Sequence, residues 1–303
     1  MTQGTTTLAR YSGQAGLAVA LLIALVVVLV LAWGWFERHR TQLAGHTKRI
    51  WQRVLALPWV RKFRARYPGL SKFLSARFAR GEYLGLHLTV GFVVSLAGLW
   101  VFSAITEDVI NDDPLTKFDI ALVNWLHAGA TPSGYGIFAT ISEFGSLTAL
   151  MILAFGVGIL LVKRRRWIEL GGWAAAFAGG FILNAALKYA IRRPRPTYST
   201  DLFSIATWSF PSGHAMVSLV AYGMLAYMLL VVVRVRGRAA RITVVLGAAF
   251  LIVAIGLSRL YLGVHYFSDV VGGYAAGVLW LSACISALEG LRSPGRVRRT
   301  RNT

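Results

Sequence analysis

Residues 168–196 read IELGGWAAAFAGGFILNAALKYAIRRPRP. From Ile168 to Leu187 the only charged residue is Glu169, and then Lys188, Arg192, Arg193 and Arg195 follow within eight positions. A helix needs about 20 apolar residues to cross a hydrocarbon core. The stretch therefore reads as a membrane span that stops in a cluster of cations, stiffened by Pro194 and Pro196, which cannot continue a helix.

Comparable runs occupy roughly 15–35, 84–106, 135–162, 214–233, 240–257 and 267–287, so with 168–190 the length rule predicts about seven spans. Backbone groups in lipid must be paired within the segment, and none of the runs alternates as a barrel strand does, so these are helices. The expected fold is all-α: a polytopic membrane helix bundle with one additional N-terminal transmembrane helix. Composition agrees, since 56% of the 303 residues are hydrophobic and mean hydropathy is +0.59, too apolar for a soluble chain of this length.

The formal net charge of +20 does not imply nucleic acid, because the cations lie between apolar runs, where membrane topology places them. Residues 1–82 read as an anchor helix and a basic cytoplasmic linker. In that linker Trp51–Val60 and Leu70–Phe78 suit short amphipathic helices on an anionic leaflet, or a solvated basic linker. Residues 83–290 form the core and 291–303 a basic cytoplasmic tail. The run at 15–35 is longer than a signal core and no small-residue cleavage site follows it, so it reads as retained. Lys163–Arg166, Arg234–Arg241 and the tail are basic, whereas Glu107–Asp119 is acidic. The positive-inside rule then sets the N-terminus outside and the C-terminus in the cytoplasm. Phe118–His127 is amphipathic and suits the outer interface. The single cysteine, Cys284, excludes an intrachain disulfide.

Two basic stretches fall on the outer side against this rule: Lys188–Arg195 and Arg259. An anion-binding role explains them. Three clusters meet at that side: Lys188–Pro196, Pro211–His214 and Ser258–Asp269. His265 and Asp269 are four apart and share a face on a helix. The carboxylate can then accept the Nδ1 proton and leave Nε2 as a nucleophile, although such a pair alone also suits a buried polar contact. Ser212 precedes an apolar run, where it can cap the helix or donate to an anion. Gly213 lets an anion approach the helix N-terminus. Lys188 and Arg195 supply cations, Arg in a fork that matches phosphate oxygens. Gly171, Gly172, Gly179, Gly180, Gly272, Gly273 and Gly277 suit close helix packing. Tyr198, Trp208 and Phe210 suit an interfacial belt or a lipid entrance. No paired carboxylates and no metal-ligand spacing accompany the clusters. Phosphoryl transfer fits, because its catalysis is mostly positioning and charge stabilisation.

In order and spacing, the three clusters resemble the K-x6-R-P, P-S-G-H and S-R-x5-H-x3-D signature of the type 2 phosphatidic acid phosphatase superfamily. The resemblance covers about 84–290 and implies that superfamily's six-helix core; it says nothing of 1–82. It implies that His265 attacks phosphorus, that Asp269 orients it, and that His214 protonates the leaving oxygen and then activates water. Lys188, Arg195, Ser212, Gly213 and Arg259 then hold the phosphoryl oxygens. No metal or cofactor is implied. The expected activity is hydrolysis of a lipid phosphomonoester or diphosphate at the bilayer surface: phosphatidic acid, phosphatidylglycerol phosphate or an isoprenyl diphosphate. Transfer of the phosphoryl group to a lipid acceptor and non-enzymatic lipid transport are the alternatives. The expected home is a bacterial inner membrane, with the site on the periplasmic or extracellular side. The lipid itself and the oligomeric state are not legible.

Overall fold

The long apolar runs dictate long helices, and the ends of those helices are set by glycine, proline and charge. The computed structural model describes residues 83–111, 113–196 and 207–292, with a few positions between 53 and 68. The span at 15–35, the segment Leu70–Phe78, most of Trp51–Val60 and residues 293–303 lie outside the described residues. The chain divides into two units, residues 23–90 and the remainder; the site lies in the remainder.

Helices α1 (Tyr83–Asn111), α2 (Pro114–Ala128), α3 (Pro132–Glu143), α4 (Leu147–Lys163) and α5 (Trp167–Ile191) are followed by α6 (Gly213–Tyr227), α7 (Arg238–Tyr261) and α8 (Phe267–Arg292). A π-turn at Met228–Val232 extends α6. Among the described residues there is no strand. Six helical stretches are long and apolar enough to cross a membrane: Thr89–Asn111, Pro132–Lys163, Trp167–Ile191, Gly213–Val232, Arg238–Tyr261 and Phe267–Arg292. The chain is thus a multi-pass integral membrane protein. Its outward faces fit lipid: Trp100 is 74% exposed and Ile152 is 69% exposed, and an aqueous surface would not leave such side chains open in rows.

Inside, Leu150, Trp173, Phe177, Val220, Met224 and Leu288 form a core between α4, α5, α6 and α8. Each indole N–H there finds a carbonyl: Trp173 donates to Ala154 at 3.0 Å and Trp280 to Ala176 at 3.1 Å. Such pairing is needed where no water reaches. The seam between α6 and α8 is the tightest. A Cβ on Gly273 would stand 2.8 Å from the Ser212 carbonyl oxygen, and one on Gly277 would stand 3.0 Å from that of Met216. These two glycines, four apart, let the backbones touch. Gly172, Gly179 and Gly272 also face neighbours, namely Leu288, Trp280 and Phe210, whereas Gly171 meets nothing within 4 Å. Packing therefore does not explain Gly171.

Three further expectations are corrected. The run at 135–162 is not one unbroken helix: it breaks at Phe144–Ser146 between α3 and α4. Gly145 sits at the break, Ser146 caps α4 by accepting from Ala149 N at 3.2 Å, and Tyr222 donates to the freed Phe144 carbonyl at 2.7 Å. Broken helices persist at membrane depth only where such partners exist. Next, His265 does not share a helical face with Asp269. It lies in the turn before α8, where Gly263 takes a left-handed φ of 65°. Finally, Phe210 belongs to no belt or entrance. It is fully buried, 5.7 Å from the Phe102 ring and against Gly272.

The α6–α8 seam yields a paired test. Gly273→Ala is expected to destabilise the protein by about 1–3 kcal/mol, as overpacking does, and to lower activity by moving Ser212. Gly171→Ala adds a methyl to open space and is expected to be neutral or stabilising by up to about 1 kcal/mol. Thermal unfolding in detergent and turnover of both variants check it; equal behaviour of the two would be contrary to this packing.

Candidate active site

The ends of α5, α6, α7 and α8 that carry the three clusters lie at one side of the bundle. The opposite side carries the basic turns between α4 and α5 and between α6 and α7, together with Arg292. At the first cluster α5 stops at Ile191, and Arg192 takes a left-handed φ of 54° as its C-cap. A residue with a Cβ adopts that conformation at a cost of roughly 1–2 kcal/mol. Here it turns Arg193 inward while Arg192 stays exposed.

Arg193 reaches two carboxylates. It donates through Nη1 to Asp269 Oδ1 at 2.7 Å and through Nη2 to Asp119 Oδ2 at 2.8 Å. Both aspartates are fully buried and Arg193 is 8% exposed. Burial opposes the Arg193 charge, yet Asp269 and Asp119 outweigh it and hold its pKa above the ordinary value. Removing one member of a buried charge set costs about 3–5 kcal/mol, because a charge is stranded; these three groups fold as a unit.

His265 is buried, and its Nδ1 lies 3.3 Å from Asp269 Oδ2. The same carboxylate oxygen accepts from Tyr266 N at 2.9 Å. The other imidazole nitrogen, Nε2, faces Arg195 Nη1 at 3.3 Å. Burial, with Arg195, Lys188 and Arg259 around it, holds the His265 pKa well below the ordinary histidine value. The ring is therefore neutral near pH 7, and with Nδ1–H directed at Asp269 its lone pair is on Nε2.

The cations are held by neutral acceptors, carbonyls for Lys188 and Arg195 and a hydroxyl for Arg259, which orient them and leave their charge uncancelled. Lys188 Nζ donates to the carbonyls of Trp208 at 2.5 Å and Ser209 at 3.3 Å. Arg195 donates to those of Val264 at 2.8 Å and Thr207 at 2.7 Å. Arg259 donates through Nη1 to Ser142 Oγ at 2.5 Å. Arg195 repels both Lys188 and Arg259. Among the described residues none of the three forms an ion pair with a carboxylate, and such a gathering suits an anion carrying more than one negative charge.

The second cluster closes the group. Ser212 is the N-cap of α6, but its hydroxyl caps nothing; its Oγ is buried without a partner, as is Arg259 Nε. Ser209 Oγ is the third such atom among the described residues; buried polar atoms are almost always hydrogen-bonded, so unpaired ones on and around these cations suit the oxygens of an oxyanion. A Cβ on Gly213 would stand 2.9 Å from Asn184 Oδ1, so a larger residue in that first turn would displace the Asn184 side chain. His214 follows it, under the electrostatic influence of Arg259, His265, Arg195 and Lys188, and a Cβ on Gly145 would stand 3.2 Å from its ring.

All eight residues singled out by sequence thus come to one end of the bundle: Lys188, Arg195, Ser212, Gly213, His214, Arg259, His265 and Asp269. Sequence reasoning did not single out Asp119, Ser142, Gly145 or Asn184, and gave Arg193 no separate role. The only advance signals were a carboxylate in an amphipathic segment and a glycine interrupting an apolar run.

Residues 169–292 match the model of the PAP2 superfamily. Phosphatidylglycerophosphatase B of Bacillus subtilis is 32% identical over 183 residues, 60% of this chain and 88% of that protein. A decaprenylphosphoryl-5-phosphoribose phosphatase of Mycobacterium tuberculosis is 34% identical over 173 residues, 54% of this chain and 86% of that one. The crystal structure of a transmembrane PAP2 type phosphatidylglycerolphosphate phosphatase from Bacillus subtilis superposes with a TM-score of 0.58. It is 26% identical and covers 67% of this chain and 98% of that structure. With its helical fold, its motifs and these relatives in agreement, the chain belongs to the PAP2 superfamily and is a membrane phosphatase of that type.

Proposed function

We propose that this chain removes phosphate from a membrane lipid without a metal, through a phosphohistidine on His265, at the non-cytoplasmic face of a bacterial inner membrane. The observation that supports the reading is the set of buried, unpartnered donors, Ser212 Oγ and Arg259 Nε together with Ser209 Oγ, grouped with Lys188, Arg195 and the neutral imidazole of His265. The proposed substrate is a phosphomonoester or diphosphate on a lipid headgroup. The names of the relatives support this class, since each specifies a phosphate carried on a lipid.

In the first step Nε2 of His265 attacks phosphorus, the N–P bond forms and the bond to the leaving oxygen breaks. His214 donates a proton to that oxygen. In the second step His214 takes a proton from water, the resulting hydroxide attacks phosphorus, and the N–P bond breaks to release inorganic phosphate. Lys188, Arg195, Arg259, Ser212 Oγ and the N-terminus of α6 at Gly213 hold the non-bridging oxygens through both steps. The Arg195 N–H that meets Nε2 at 3.3 Å would lie against one of those oxygens once Nε2 is bonded to phosphorus. Asp269 stabilises the charge that phosphorylation leaves on the ring.

The helix ends support the sidedness. The site lies opposite Lys163–Arg166, Arg234–Arg241 and Arg292, which the positive-inside rule assigns to the cytoplasm. A site at the outer boundary lets a lipid present its phosphate while its tails stay in the bilayer.

Purified enzyme in detergent with EDTA is expected to release phosphate from at least one member of a panel of phosphatidic acid, phosphatidylglycerol phosphate and isoprenyl diphosphates. His265→Ala should lower turnover by on the order of a thousandfold or more and abolish the acid-labile phosphoenzyme trapped by rapid alkaline quench. Turnover surviving in His265→Ala would remove the nucleophile assignment, and phosphate appearing on an added lipid acceptor would convert hydrolysis into transfer. The depressed His265 pKa predicts a pH effect of definite sign. Protonation inactivates the nucleophile of the free enzyme only well below the usual histidine range, so its acid limb in wild-type kcat/KM should lie below pH 6.5. Arg195→Gln removes a repelling cation, and that acid limb of kcat/KM should move to higher pH; a limb that stays or moves down contradicts the electrostatic account. With Cys284 replaced, Ser133→Cys should react with an impermeant maleimide in intact cells and Arg236→Cys only after permeabilisation. The reverse pattern inverts the topology.

A further inference from the structure

Asp119 lies on α2, far in sequence from the three clusters, yet it is fully buried against the start of α8. Its Oδ1 accepts from Ser268 N at 3.0 Å, and its Oδ2 accepts from Arg193 at 2.8 Å and from the Ser268 hydroxyl. Arg193 also donates to Ser268 Oγ at 2.6 Å, and its guanidinium carbon stands 4.2 Å from the centre of the Tyr266 ring. Each of these contacts adjoins Asp269 or His265. We propose that Asp119 and Arg193 are positioning residues for the phosphoryl transfer: Asp119 holds Arg193, and Arg193 holds the carboxylate of Asp269 in the rotamer that serves His265. The inference rests on the phosphohistidine reading above.

The division of the Asp269 oxygens carries it. Arg193 occupies Oδ1 at 2.7 Å, which leaves Oδ2 for Tyr266 N at 2.9 Å and His265 Nδ1 at 3.3 Å. A carboxylate with one oxygen clamped by a planar guanidinium cannot rotate away from the imidazole. Asp119 also sets the charge. Arg193 alone would balance Asp269 and leave little negative potential for the ring. With Asp119 present the buried triad carries one net negative charge, and phosphorylation of Nε2 makes the imidazole cationic. The triad therefore favours the intermediate over the free neutral ring. This makes α2, an amphipathic helix outside the three motifs, part of the reaction centre's support.

The test uses the full-length protein in detergent with dioctanoyl phosphatidic acid as substrate, comparing wild type, His265→Ala, Asp119→Asn, Asp269→Asn, Arg193→Lys and the double variant Asp119→Asn/Asp269→Asn. Asp119→Asn keeps the shape and an acceptor for Ser268 N but loses the charge. It is expected to lower kcat about 10- to 100-fold, by analogy with loss of the outer hydrogen-bond partner of a metal-ligating histidine, with KM within about twofold. Arg193→Lys is expected to lower kcat similarly, since one ammonium does not reproduce the fork. The double variant should be no slower than Asp269→Asn alone, within about twofold, because Asp119 acts through Asp269. Multiplying losses in the double variant would indicate independent structural damage and overturn the proposal, as would wild-type kcat in Asp119→Asn. Should Asp119→Asn fail to fold, Arg193→Lys decides, and wild-type kcat there overturns it too. Turnover by His265→Ala sinks the nucleophile reading and this inference together. Loss of activity in His265→Ala with full activity in Asp119→Asn sinks this inference alone.

Discussion

A carboxylate sealed from water must be paired, and Asp269 is the carboxylate around which this protein is arranged. Its side chain takes Arg193 from the end of α5, His265 from the turn before α8 and the backbone N–H of Tyr266. Its own carbonyl accepts from Ser212 N at 2.9 Å. Through this one residue the three motif segments meet, and through Arg193 a fourth, α2, joins them. Stranding any buried member would cost several kcal/mol, a large part of the stability of an ordinary domain. The arrangement is accordingly all-or-none: the segments close together, or the carboxylate has no counterion.

That closure needs backbones to approach. The α6–α8 seam supplies the approach through Gly273 and Gly277, and it is the N-terminus of α6 that Gly273 admits. In lipid no hydrophobic force drives one apolar helix onto another, so fit and polar contacts decide the pairing. The close seam and the site are therefore one piece of construction. The α3–α4 break works in the same way. Opening the backbone at Phe144–Ser146 leaves Ser142 positioned against Arg259 and Gly145 against His214, while Tyr222 satisfies the carbonyl that the break exposes.

The cations follow a different logic. Lys188, Arg195 and Arg259 rest on neutral carbonyls and a hydroxyl, which orient them without cancelling their charge. Arg193, two residues before Arg195, is instead neutralised by two aspartates. One short stretch thus supplies both an arginine held by neutral acceptors, which we propose faces the phosphate, and one paired with two carboxylates. The left-handed turn at Arg192 and the prolines that alternate with the arginines separate their directions.

The amino-acid sequence by itself determined the membrane class, the approximate spans and the three clusters that gather at one side. Hydropathy and helix length are local properties, and the motif residues sit at helix ends that local rules locate. It also set cations on the side opposite the other basic connections, against the usual charge rule, and so pointed to an anion. Only the tertiary structure decided that Asp119 pairs with Arg193 across 74 positions and that Ser142 meets Arg259 across 117. It also decided that the Ser212 hydroxyl leaves its own helix uncapped, that Phe210 is core, and that His265 stands before its helix. Those outcomes depend on which side chains are brought within hydrogen-bonding distance when helices pack, and no periodicity along the chain encodes a distance between helices.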